Sequence, residues 1–276
     1  MQENQEEAVM PTDSKAVTPE KAVKDPVMDY FSSVDFSSLE VKIEDMFKSG
    51  VHFGHHKSRR NPKMSEYIFA TKNDINIFDL EKTKAKLEEA MEFLTNVIAG
   101  GNDILFVGTR KQAKKIIEAA AKICGMPYVT ERWLGGTFTN FSVISIRTKY
   151  LRDGLEKMEK GEYAKYTKFE RMKKAEELER MEKRMGGIKN MQKLPSAIFV
   201  SSIIEDNLAI KEAQNLKIPI VALADSNTNP TGIDYLIPAN EDAVSSLRLL
   251  LAYATKAVLE GKKKKEANLL AAVKQD

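Results

Sequence analysis

Cysteine is almost missing from this chain. Cys124 is the only one in 276 residues, so no internal disulfide can form and the chain suits a reducing compartment. It stands beside Gly125 at the end of a predicted helix, a place for a small buried hydrophobe rather than a nucleophile. No apolar run approaches the ~20 residues that span a bilayer. The N-terminus is acidic and lacks the apolar stretch of a secretory signal. These absences lead to the expectation of a soluble cytoplasmic protein with no membrane partner. Histidine is scarce too: His52, His55 and His56 are the only three. The loops where an α/β enzyme keeps its chemistry therefore have none, and no Ser or Cys stands in a nucleophile elbow. No catalytic residue is expected.

The most informative absence is local. Residues 46–65 contain no Asp or Glu, yet hold Lys48, Lys57, Arg59, Arg60 and Lys63. Gly50, Gly54, Asn61 and Pro62 interrupt any regular element, so the stretch reads as a basic loop. Such runs are commonly solvated faces, but missing acids beside Phe53 favour contact with an RNA backbone. The three histidines raise the question of a metal. No Cys or carboxylate joins them locally, and adjacent His55 and His56 do not readily share one coordination sphere. No metal and no cofactor are expected.

Charge is unevenly spread. Residues 1–40 carry three Lys against nine acidic residues, a balance of −6, and the remainder carries 40 basic against 31 acidic, a balance of +9. A basic body with an acidic leader suggests a polyanionic partner for the body. Residues 1–39 read as a largely disordered acidic extension. Within it, Met28, Tyr30, Phe31, Val34, Phe36 and Leu39 form an apolar cluster. That cluster either docks on a protein surface, this chain's own or a neighbour's, or extends the core. A first helix is expected from about Ser38.

Residues 40–142 and 187–261 alternate strands and helices. The runs at 67–70 and 75–80 flank an Asn-Asp turn and read as a hairpin. Continuous apolar runs at 103–108, 197–200 and 218–224 suit strands buried on both faces. Tyr128-Val129 and 234–238 are shorter strands, and a closing helix covers 241–260. The pattern predicts an α/β domain whose mainly parallel sheet is covered by helices. Residues 143–186 interrupt it between the third and fourth main strands. Leu151, Leu155 and Met158 face Met172, Ala175, Leu178, Met181 and Met185 at 3/4 spacing, which predicts an inserted antiparallel coiled-coil hairpin reaching toward a partner. Residues 262–276 read as a basic flexible tail able to brush RNA.

The stretch Arg132-Trp133-Leu134-Gly135-Gly136-Thr137-Phe138-Thr139-Asn140-Phe141 joins body and insertion. Trp133, Gly135 and Gly136 form a structural junction, while Arg132, Thr137, Thr139 and Asn140 offer donors suited to phosphate or RNA. A buried aromatic turn with no partner is the equal alternative. Gly108-Thr109-Arg110-Lys111 follows a strand and precedes a helix, a plausible anion site. The full Gly-x-Gly-x-x-Gly and Walker patterns are absent, so a structural turn is favoured, with Arg110 and Lys111 meeting phosphate from outside. Asp225, beyond a strand end, reads as a turn cap.

Gly50-Val51-His52-Phe53-Gly54-His55, Asn61-Pro62-Lys63-Met64, Asn76-Ile77-Phe78-Asp79-Leu80-Glu81-Lys82-Thr83, Leu105-Phe106-Val107-Gly108-Thr109, Arg132-Trp133-Leu134-Gly135-Gly136, Gly186-Gly187-Ile188-Lys189, Leu194-Pro195, Ala209-Ile210-Lys211-Glu212-Ala213, Ile218-Pro219 and Asp225-Ser226-Asn227 together resemble the S2 family of bacterial small-subunit ribosomal proteins. The resemblance covers about residues 40–262. It implies a flavodoxin-like, three-layer domain with the coiled-coil insertion and no catalytic activity. It also implies a ribosome-associated, structural role in translation: binding small-subunit ribosomal RNA near the head–body junction and neighbouring proteins, including the large mRNA-binding protein. Where the family usually has Gln after His55, this chain has His56, and its acidic leader exceeds the family's short N-terminus. A nucleotide- or sugar-phosphate-using α/β enzyme is the alternative.

Overall fold

The computed structural model describes Phe31, residues 34–36 and residues 38–273. The expected disorder of 1–27 and the apolar-cluster positions Met28 and Tyr30 lie outside the described residues.

Two sheets form. The larger has five parallel strands: β4 (Ile104–Val107), β5 (Tyr128–Val129), β6 (Ala197–Val200), β7 (Ile220–Ala224) and β8 (Tyr235–Pro238), in the order β5-β4-β6-β7-β8. Its register runs Ile104 to Ala197, Ile198 to Ile220 and Ala222 to Leu236. All four residues of β4 and of β6 are buried, as strands covered on both faces require.

Period-two alternation divides the core. Ile104 and Phe106 point into one cluster with Phe199, Val221 and Leu223. Leu105 and Val107 point into the other with Ile198, Val200 and Ala222. The first face is covered by α2 (Leu80–Ala99), α3 (Lys114–Cys124) and α7 (Val244–Val273), which supply Leu87, Leu94, Ile117, Leu250 and Val258. Over the second face lie α6 (Asn207–Asn215), Trp133, Phe138 and the base of a helix pair, α4 (Phe141–Glu159) and α5 (Lys168–Met185). Cys124 is one of the buried core residues, and burial pushes its thiol up to about 12.

The smaller sheet corrects the reading of residues 46–65 as an unbroken loop. A helix α1 (Ile43–Lys48) precedes strand β1 (Phe53–His56), which pairs antiparallel with β3 (Ile75–Phe78), itself paired with β2 (Ile68–Lys72). Gly54 belongs to β1 because of close approach: a Cβ there would stand 2.9 Å from Ser226 Oγ and 3.3 Å from the Asn76 carbonyl. Short 3-10 turns at Lys57–Arg59 and Pro62–Tyr67 follow. Because β2 and β3 leave for this second sheet, the insertion falls between the second and third strands of the parallel sheet, not the third and fourth. The first helix also starts later than expected, at Ile43, with Lys42 rather than a serine before it and no side-chain cap.

Glycine misled the reading of the last helix too. α7 does not stop at 260 but continues through the lysine run to Val273. Gly261 lies inside it, where a Cβ would stand 2.7 Å from both Ile98 Cβ and the Thr95 carbonyl of α2. It is a contact glycine between helices rather than a terminator. Lys262 and Lys265 lie over Gly125 and Gly101, beyond the C-terminal ends of α3 and α2, where cations meet the negative end of the helix dipole.

α4 and α5 are joined by a turn with a 3-10 segment at Glu162–Lys165, and Thr167 and Glu170 form a reciprocal capping box on α5. Leu151, Gly154 and Leu178 are buried midway along the pair, with Gly154 tight against Leu178, whereas Met158 and Met172 are exposed. Gly187 returns the chain to the body with room for no side chain: a Cβ would stand 2.2 Å from the Tyr128 carbonyl. At the other end, Phe31 is buried in the first core cluster, and Phe36 and Leu39 pack against it. The described part of the aromatic leader thus extends this chain's own core.

Candidate nucleic-acid interface

A parallel sheet brings the carboxyl ends of all its strands to one edge, so the residues after each strand meet there. After β4 come Thr109, Arg110 and Lys111; after β5, Arg132 and Trp133; after β6, Ser201 and Ser202; after β7, Asp225 and Ser226; after β8, Glu241 and Asp242. β1 approaches this edge too. His55 N–H donates to Ser226 Oγ at 2.8 Å and to Asp225 Oδ1 at 3.2 Å. Asn61 N–H donates to the Ser226 carbonyl at 2.8 Å, and Lys63 Nζ to Thr231 Oγ1 at 2.6 Å. These bonds lay the 57–63 segment against the β7–β8 loop.

The seven cations singled out in the sequence fall into two groups. Lys57, Arg59, Arg60, Lys63, Lys111 and Arg132 are exposed, and among the described residues none has an ion-pair partner. The 57–63 loop holds four of them on a short backbone with no acid between. Arg110 differs. Its guanidinium reaches Glu241 Oε1 at 2.8 Å and Asp242 Oδ1 at 2.7 Å, so it serves the protein's own acids first.

The Gly-Gly turn is likewise occupied from within. Trp133 is buried, and its indole N–H donates to Glu212 Oε1 at 3.0 Å. Gly136 N–H donates to the same oxygen at 2.8 Å. Phe138 N–H, Thr139 N–H and Thr139 Oγ1 donate to Glu212 Oε2. Gly136 takes φ +88°, which glycine adopts without strain. Partial burial works against ionisation of Glu212, but the donors from Phe138, Trp133, Gly136 and Thr139 outweigh it and hold its pKa low. Of the side chains that suggested phosphate or RNA, Thr139 is thus taken up by a carboxylate supplied by α6, and Thr137 Oγ1 donates to the Leu134 carbonyl. Arg132 and Gly135, at the rim, remain exposed. Nothing local in the sequence marks Glu212 among the chain's many glutamates, because its partners lie more than 70 positions away.

The strand-to-helix turn after β4 repeats the device. Thr109 N–H and Oγ1 both donate to Asp206 Oδ1, at 3.2 and 2.7 Å. Gly108 has no space for a side chain, since a Cβ would stand 2.7 Å from Ser201 Oγ and from Ile117. Burial pushes the Asp206 carboxyl up to about 6 despite the Thr109 bonds. Glu241 is pushed up to about 7 by burial, with Arg110 opposing and Asp225 and Asp242 reinforcing.

The three histidines diverge. His52 stacks on Phe47, with ring centroids 4.4 Å apart, and burial lowers its pKa. His56 Nδ1 meets Ser58 Oγ at 2.9 Å. His55 lies between two acids, with Nδ1 3.0 Å from Asp225 Oδ1 and Nε2 3.4 Å from Asp242 Oδ2. Its hydrogen bond to Asp225 raises its pKa against the opposing effect of burial. Asp225 is therefore more than a turn cap: its carbonyl receives Thr228 N–H and Oγ1 as expected, while its carboxylate holds β1.

No helix among the described residues is long and apolar enough to cross a membrane. Comparison with known proteins agrees with this architecture. Residues 46–261 match the family described as Ribosomal protein S2. The small ribosomal subunit protein uS2 of Roseiflexus sp. (strain RS-1) is 44% identical over 227 residues, covering 82% of this chain and 87% of its own length. With an α/β body, a five-stranded parallel sheet and a match over most of its length, this chain belongs to the ribosomal protein S2 family.

Proposed function

We propose that this chain is a structural constituent of the small ribosomal subunit, and that it binds ribosomal RNA mainly through Lys57, Arg59, Arg60 and Lys63. The observation that carries this reading is the exposed, acid-free 57–63 loop, fixed to the β7–β8 loop yet keeping its charges unneutralised by the protein. Lys111 and Arg132, on the same sheet edge, extend the contact to phosphate; Arg110 has a supporting role through its acids. The strand order, 2-1-3-4-5 within the parallel sheet, supports a flavodoxin-like assignment. The α4–α5 pair is an inserted coiled-coil arm: Ile146, Tyr150, Phe169 and Met172 are exposed along it and suit a protein neighbour. Neighbouring ribosomal proteins, including the large mRNA-binding protein of the subunit, are its proposed partners. No catalytic step is assigned, because the strand-end donors that would hold a phosphorylated substrate already engage Asp206 and Glu212.

The test compares wild type with a variant in which Lys57, Arg59, Arg60 and Lys63 are all Ala. Binding to small-subunit ribosomal RNA is measured across a salt series, with co-sedimentation on subunits in parallel. Each lost phosphate contact should flatten the log K against log salt slope by roughly 0.7–0.9. An unchanged slope with undiminished co-sedimentation would overturn the assignment.

A further inference from the structure

We propose that the cleft along the outer edge of β5 binds one ribonucleotide unit of an RNA strand, with Lys183, Arg184 and Lys262 taking its phosphate and Glu182 its ribose hydroxyl. This second contact rests on the RNA-binding reading above but lies apart from the 57–63 loop. β5 is one outer strand of the parallel sheet, and β8 is the other. Four strand spacings of about 4.8 Å, roughly 19 Å in all, separate them, and the 57–63 loop rests on the β7–β8 side. α3 walls the cleft on one flank, and residues 182–191, where the arm returns to the body, wall it on the other. The space between them is about 750 Å³, the size of sites that hold small organic ligands.

The charges of the cleft divide into engaged and open ones. Glu118 Oε1 accepts from Lys122 Nζ at 2.6 Å, Glu131 Oε2 from Lys114 Nζ at 2.9 Å, and Glu182 Oε1 from Lys189 Nζ at 2.7 Å. Each of these acids is matched by one lysine. Lys183 and Arg184 are exposed and line the same space. Lys262 lies at its rim over Gly125, held by the negative end of the α3 dipole. Among the described residues none of these three cations has an ion-pair partner, and Lys183 acts on Glu131 only through space. Asp103 is the remaining acid of the lining, so three open cations stand against one acid, a balance of +2. A phosphodiester brings the anion that this arrangement omits.

A separate observation points to the sugar. Glu182 Oε2 is shielded from solvent and accepts no hydrogen bond among the described residues. A buried carboxylate oxygen without a donor is costly. The Glu182 side chain lines the cleft and is 39% exposed, so a small turn presents that oxygen to a ligand. A phosphodiester offers acceptors only, whereas the ribose 2′-hydroxyl offers a donor, and it is the group that distinguishes RNA from DNA. The cations therefore meet the strand as an ion, and the carboxylate meets it as a ribose.

The full-length protein is titrated across a salt series with a fluorescent single-stranded oligoribonucleotide of small-subunit ribosomal RNA sequence, and with the same sequence as DNA. Wild type should favour the RNA by about fivefold, the worth of one hydrogen bond. A variant combining Lys183→Ala, Arg184→Ala and Lys262→Ala should bind both strands more weakly, and its log K against log salt slope should flatten by about 0.7 per lost contact. Lys183→Ala with Arg184→Ala alone, on the exposed flank of α5, reads the same slope should Lys262→Ala loosen α7. Glu182→Ala should erase the preference for RNA without weakening DNA binding. The fourfold alanine variant at 57, 59, 60 and 63 should bind less tightly yet keep that preference. Unchanged slopes in both cleft variants would overturn the proposal and leave the 57–63 reading standing. Flattened slopes there, beside undiminished binding in the fourfold variant, would overturn that reading and leave this one. No preference for RNA in wild type, or one that survives Glu182→Ala, would also overturn the proposal.

Discussion

In the turn 132–141, an indole, three backbone N–H groups and a threonine hydroxyl converge on the carboxylate of Glu212. In residues 57–63, four cations stand on the surface, and the polar bonds of Arg60 and Lys63 go to neutral hydroxyls of Ser65 and Thr231. Both stretches contain groups that bind anions. In the first, the fold provides the anion; in the second, it leaves the place open. Donor chemistry alone therefore does not identify a nucleic-acid surface. What sets the proposed RNA surface apart is donor chemistry without an internal anion, and the long acid-free window around the second stretch carries that in the sequence.

The contrast can be broken most severely at Glu212. Glu212→Ala leaves five donors without their acceptor, and at about 1–3 kcal/mol for each buried group left unsatisfied it should cost at least ~3 kcal/mol in urea unfolding. Glu212→Gln should recover part of this. A loss below ~1 kcal/mol for the alanine variant would mean that the turn does not depend on its internal anion. Arg110→Ala comes next. It leaves Glu241 buried without its cation and should destabilise by about 2–3 kcal/mol. Lys111→Ala, one position on, should leave stability unchanged and lower RNA affinity only. Equal stability losses in the two would erase the distinction between engaged and open cations.

Asp206 gives a pH-dependent test. Its carboxyl is raised from 3.8 to about 6, so the folded state holds the proton more tightly than the unfolded chain. The associated stability is fully present below about pH 4 and is lost as pH rises through 6. Asp206→Asn retains an acceptor for Thr109. It should therefore stabilise by about 1–2 kcal/mol at pH 8 and give no gain at pH 4, as read by thermal melts at the two pH values. A gain independent of pH would assign the effect to packing. The smallest effect is expected at the open loop. The fourfold alanine variant at 57, 59, 60 and 63 should unfold within about 0.5 kcal/mol of wild type, even as its RNA binding falls. A large stability loss there would make the loop a structural element first.

The parallel sheet was legible because its strands are continuous apolar runs at 104–107, 197–200 and 220–224, bounded by polar turns. β1 and the last turns of α7 were not, for one physical reason. Gly54 and Gly261 look like breaks, but each makes room for a neighbouring backbone or side chain, and close approach leaves no trace in local sequence. The basic loop was readable from charge alone. The pairing of His55 with Asp225 and Asp242 was not, since it joins positions at least 170 residues apart. Periodicity within a segment carries no information about which loops a sheet will gather at its edge.

The packing of the leader has a consequence for the order in which this molecule comes into being. The Leu39 carbonyl accepts from Lys256 Nζ at 2.6 Å and the Glu40 carbonyl from Tyr253 Oη at 3.1 Å, while Phe31 sits in a core completed by Leu247, Leu250 and Val258. A chain synthesised from its amino end produces the leader first and its docking site last. For most of translation the apolar groups around Phe31 and Met46 have no final partners, and the first core closes only when α7 has emerged. Long-range closure of this kind slows folding and prolongs exposure of apolar surface. Chains truncated before residue 247 should therefore keep their leader susceptible to protease, and full-length chains should protect it.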